Sequence, residues 1–191
     1  MLRTLSITKD WSLSIRIAGI VFFTILTALG AQVEIWFGGP VPFTLQVLIV
    51  LLAGMVLGAR DGALSILAYI GLIALNIPVG AGGAGAAAFS GVTAGYLIGF
   101  TPAAFVTGWL VEHSADRTWQ RWLAGIAGVA IIYAFGIPVL HSIANAESWH
   151  QAWMWGGYPF IGLDILKALI AATATEGARQ LMLRQMMDKK K

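Results

Sequence analysis

Six stretches of the chain are almost unbroken runs of apolar residues: 15–33, 43–58, 61–77, 93–111, 122–140 and 158–176. A helix needs about 20 mostly apolar residues to cross a bilayer, and polar residues gather in the connections between these runs. The pattern predicts six transmembrane helices in one bundle. Runs two and three are short, and only GARDGA (58–63) separates them, so they are expected to pair as a helical hairpin.

Composition agrees with the pattern. The chain has 58% hydrophobic and 11% charged residues, against about 25% charged in soluble domains. The expected fold class is an all-α membrane protein, one domain over residues 1–191, with 1–14 and 180–191 as tails. There are no cysteines, which removes disulfides and thiolate chemistry. Arg3, Lys9 and Arg16 ahead of an apolar run imitate a signal peptide. Cleavage after Ala31 would, however, put bulky Leu29 at the −3 position, so the run is read as a retained first helix.

Charge placement orients the bundle. Of twelve Lys and Arg, eleven fall on one side of a six-span topology: Arg3, Lys9, Arg16, Arg60, Arg117, Arg121, Arg179, Arg184, Lys189, Lys190 and Lys191. The opposite connections, 34–42, 78–92 and 141–157, contain none. Positive residues stay cytoplasmic, so both termini are expected inside. Trp36, Trp149, Trp153 and Trp155 then fall near the outer interface and Trp11, Trp119 and Trp122 near the inner one, as aromatic belts require.

The twelfth cation is Lys167, within the sixth run, three residues after Asp164. Helix six runs inward from about Pro159, which places Asp164 about 8 Å and Lys167 about 12 Å along the axis, in the outer half of the membrane. The i, i+3 spacing sets them on one face. Ionisable residues in spans line substrate paths or polar cavities, although an intrahelical pair that only stabilises the bundle, or a proton relay, has the same spacing.

Two Gly/Pro loops lie on the same outer side. In FGGPVPFTLQ (37–46), Thr44 and Gln46 offer polar groups where helix two begins. The connection around 80–91 is rich in small residues, and Gly80, Gly82, Gly83 and Gly85 would allow it to act as a lid over a ligand or simply as a flexible connector. GAGGAG (80–85) fits G-x-G-x-x-G, but no strand precedes it and the context is apolar, so no dinucleotide site is expected. The chain has no phosphate-binding loop of the G-x-x-x-x-G-K-[ST] type. His141, Glu147 and His150 read as solvated loop residues rather than a metal site. On helix one, Thr24 and Ala28, with Thr27 and Ala31, form small-xxx-small pairs that permit close helix contact, with a partner or within the chain. Together these features describe capture of a small polar or anionic solute from outside.

The combination of PVPFTLQ (40–46), VLLAGMVLGARDGALS (50–65), SGVTAGYLIGF (90–100) and LDILKAL (163–169), in that order, resembles the BioY family, the biotin-specific S components of energy-coupling-factor transporters. The resemblance covers about residues 15–180. It implies a six-helix bundle in the bacterial cytoplasmic (inner) membrane that binds biotin near its outer face. It implies a transmembrane coupling protein and two ATPases as partners, or a homo-oligomer if the chain works alone; no cofactor or nucleic acid is implied. By motif match the ligand contacts would be Asp164, Lys167, Thr44, Gln46, Thr93 and Tyr96, and Thr24 and Ala28 would face the coupling protein. Alternatives are an S component for another vitamin, or an intramembrane enzyme using Lys167 as nucleophile or base.

Overall fold

In a computed structural model of the chain, the described residues are 12–114 and 117–188. Arg3, Lys9, Trp11, Lys189, Lys190 and Lys191, used above for topology, lie outside them. The described residues form six α-helices: α1 (Leu13–Ala31), α2 (Gln46–Ala74), α3 (Ala94–His113), α4 (Thr118–Ile143), α5 (Trp149–Gly156) and α6 (Tyr158–Asp188). Among them there is no strand, only an isolated bridge between Ile35 and Phe43 that folds the loop after α1 back on itself.

Five of these helices, α1–α4 and α6, are long and apolar enough to cross a membrane. The expected six runs are five helices because runs two and three are joined in α2, which bends at Gly58. There φ is 83° and ψ −179°, a conformation open to glycine and strained for other residues. The bend is a reversal. In a straight helix Gln46 and Tyr69 would stand about 35 Å apart, yet Gln46 Nε2 donates to the Tyr69 hydroxyl at 2.8 Å. A Cβ on Gly62 would come within 2.8 Å of the Ala53 carbonyl oxygen, so the limbs touch backbone to backbone. The hairpin expected from GARDGA is present, and it reverses at Gly58.

α5 was not anticipated. The connection 141–157 was expected to be a loop, but α4 extends to Ile143 and a two-turn helix follows. Ser148 starts it, its hydroxyl accepting from Gln151 N at 3.2 Å, an N-cap bond that satisfies a donor the first turn leaves open.

Polar groups tie one end of the bundle. Arg16 grips Asp61 through two bonds of 2.7 Å, joining the start of α1 to the tip of the α2 hairpin. Glu112 near the end of α3 accepts from Ala59 N at 2.9 Å. Arg121 at the start of α4 bonds Glu176 of α6 at 3.2 Å, and Arg179 bonds the same carboxylate at 2.8 Å. Arg16, Arg121 and Arg179 thus make their ion pairs at one end of the bundle. The sides of the bundle are apolar: Leu13, Ile17, Phe22 and Leu29 of α1 are all more than half exposed, a surface suited to lipid and unsuited to water.

Candidate functional site

The opposite end holds a cavity of about 360 Å³, within the range that holds small organic ligands. The loop after α1, both limbs of α2, the glycine-rich connection, α3, α4 and α6 all contribute to its wall. Most of that wall is apolar and aromatic: Trp36, Phe43, Tyr69, Tyr96, Phe100, Tyr133 and Phe160.

Its polar focus is the Asp164–Lys167 pair, only 2% and 6% exposed. Three helical residues of separation bring Lys167 Nζ to 2.8 Å from Asp164 Oδ1. The other carboxylate oxygen accepts from the Tyr133 hydroxyl of α4 at 2.7 Å. Lys167 also donates to the Thr44 carbonyl at 2.9 Å and lies 3.9 Å from the centroid of the Phe43 ring, a cation–π contact. A buried ion pair persists when its remaining donors and acceptors are satisfied, and here both partners are. The amine is held between the Asp164 carboxylate, the Thr44 carbonyl and the Phe43 ring, contacts that favour a cation over a neutral nucleophile.

A second polar strand of the wall runs from Thr44 through Gln46 to Tyr69. The Thr44 hydroxyl donates to Gln46 Oε1 at 3.0 Å, Gln46 Nε2 donates to Tyr69, and the Tyr69 hydroxyl donates to the Val79 carbonyl at 3.2 Å. That last bond fastens the start of the glycine-rich connection over the cavity. Gln32 fastens it from the other side, donating to the carbonyls of Val79 at 3.3 Å and Gly80 at 3.1 Å. On α3, the Tyr96 hydroxyl donates to the Gly156 carbonyl at 3.0 Å, linking the cavity wall to the end of α5. The Tyr133 ring stands edge-on between Tyr96 and Trp153 at 6.5 and 6.0 Å, a packing that orients its hydroxyl toward Asp164.

All six expected ligand contacts, Asp164, Lys167, Thr44, Gln46, Thr93 and Tyr96, line this one cavity, as do Gly80 and Gly82; Gly83 and Gly85 belong to the same connection but do not line it. Thr24 and Ala28, the residues of helix one expected to face a coupling protein, both pack within the chain. Thr24 is buried, and its hydroxyl donates to the Ser65 carbonyl at 2.9 Å, while Ala28 packs half-buried against the core. Thr24 thus ties α1 to the second limb of α2. Sequence reasoning also missed Tyr133, Tyr69, Phe43 and Glu34, all in the cavity wall. A tyrosine within an apolar run was the available signal for the first two, because a buried hydroxyl must find a partner.

A family model described as the BioY family matches residues 4–184. A protein of Rhizobium etli named biotin transporter BioY is 41% identical over 162 residues, covering 80% of this chain and 86% of that protein. One of Thermotoga maritima with the same name is 44% identical over 155 residues, 78% of this chain and 87% of that protein. A crystal structure of the S-component for biotin from an ECF-type ABC transporter aligns with a TM-score of 0.81 over 90% of this chain and 95% of that one, at 23% identity. That likeness shows a shared fold.

Proposed function

This chain belongs to the BioY family, and from that premise we propose that it is a membrane-embedded subunit that captures biotin in the cavity beside α6 for uptake. The observation that carries the reading is the buried Asp164–Lys167–Tyr133 cluster facing a cavity that is otherwise apolar and aromatic. Biotin matches it group by group. Its ureido ring carries two N–H donors and a carbonyl, and its thioether ring suits aromatic walls. Asp164 accepts a ureido N–H, Lys167 and Gln46 supply donors, Thr44 and Thr93 flank the ring, and Tyr96 and Tyr133 pack against it. The connection at 80–91, with its glycines, serves as the lid.

The chain is a multi-pass membrane protein. In our reading the two limbs of α2 count as two crossings, so the single domain crosses a bacterial inner membrane six times with both termini cytoplasmic. The end that carries Arg60, Arg117, Arg121 and Arg179 is then the cytoplasmic one. No phosphate-binding loop is present, so concentrative uptake draws its energy from a coupling protein and two ATPases docked at that end.

Titration of the purified chain with biotin tests the reading, with a vitamin that lacks a ureido ring as control. Saturable binding of biotin alone is the expected result. Failure of the folded protein to bind biotin, or a covalent adduct on Lys167 in the intact mass, would overturn it.

A further inference from the structure

Among the described residues, three charged side chains line the cavity: Asp164, Lys167 and Glu34. The first two neutralise each other at 2.8 Å. Glu34 has no such partner: among the described residues no donor bonds its carboxylate and no cation pairs with it. It is half-buried and lies against the covering connection, where a Cβ built on Gly82 would stand 3.5 Å from each of its oxygens. The three connections at this end, 32–45, 75–93 and 144–157, contain no Lys or Arg. His141 and His150 are not among the lining residues. The cavity therefore has a neutral polar floor and a mouth with one uncompensated negative charge.

We propose that Glu34 reads the charge on the ligand's tail, so that the cavity prefers biotin joined through its carboxyl group as a neutral or cationic amide to the free anionic vitamin. This rests on the biotin reading above. The neutral ureido ring belongs at the floor, because a carboxylate placed there would meet Asp164. The tail then points to the mouth. A free valerate brings one negative charge toward another, a primary amide brings none, and a tail ending in an ammonium group brings an attraction.

The test is a ladder of three ligands: biotin, its primary amide, and its amide with ethylenediamine, whose tails carry charges of −1, 0 and +1. Dissociation constants are measured at low ionic strength on the full chain in neutral detergent. Unit charges about 4 Å apart across water shift affinity about fivefold, so affinity should rise about fivefold at each step. Added salt should compress the ladder, Glu34→Gln should flatten it, and Glu34→Asp should keep its slope. A wild-type ladder that is flat or runs the other way overturns the proposal, as does an unchanged slope in Glu34→Gln. If none of the three ligands binds the folded wild-type chain, the biotin reading fails and this proposal falls with it.

Discussion

Replacing Asp164 with asparagine keeps the side chain's shape and removes its charge. Lys167 then stays 6% exposed, keeping the Thr44 carbonyl and the Phe43 face but with a neutral amide oxygen in place of the carboxylate that paired with it. Breaking a buried pair by removing one partner costs about 3–5 kcal/mol. Since about 1.4 kcal/mol is a factor of ten, the strain available to oppose ligand binding and folding together is a factor of roughly a hundred to several thousand. Divided evenly between the two, this makes Asp164→Asn bind biotin about ten- to sixtyfold more weakly by calorimetry, and it should unfold at a lower temperature. The double variant Asp164→Asn/Lys167→Met separates the two effects. Removing both charges from a buried pair can be nearly neutral for stability, so the melting temperature should recover while binding stays lost. Recovery of binding in the double variant, or near-normal binding in the single one, would refute a ligand role and leave the pair as a structural ion pair.

Tyr133→Phe deletes only the hydroxyl that donates to Asp164; a hydrogen bond to a charged group contributes about 1.5–3 kcal/mol, so biotin affinity should fall at least about tenfold with an unchanged circular dichroism spectrum. Gly58→Ala puts a side chain where φ is 83°, and thermal unfolding should show a loss of about 1–3 kcal/mol; an unchanged midpoint would mean that the reversal tolerates strain elsewhere. Gln32→Ala removes the two bonds that hold the start of the covering connection, and at about 1 kcal/mol for each it should speed biotin release by up to about thirtyfold in stopped-flow measurements. Unchanged release would make that connection a passive linker.

What the sequence determined by itself is local. Apolar run lengths report the surrounding solvent, because a chain in hydrocarbon must satisfy its backbone within helices. The hairpin was legible because GARDGA leaves no room for a longer connection, and the Asp164–Lys167 contact because three residues is nearly one helical turn. The basic residues marked the end of the bundle where the polar ties occur. Ordered motifs named the family, and through it Thr93 and Tyr96, which no spacing argument had reached.

The facing of one helix toward another was decided only by the tertiary structure. In water, the period of apolar residues tells the inside of a helix from the outside. In a membrane, lipid and core are both apolar, and that signal fades. Thr24 shows the consequence: a small residue permits close contact with any neighbour, and only the packed chain shows that its hydroxyl bonds the Ser65 carbonyl. Tyr133 shows it too, since 31 residues separate it from Asp164, and no periodicity along either helix could bring them together. The Thr44 carbonyl that completes the Lys167 site is 123 residues away. Such contacts exist because close packing of α2, α4 and α6 leaves each buried polar group few places to find a partner, and burial makes an unpaired group costly.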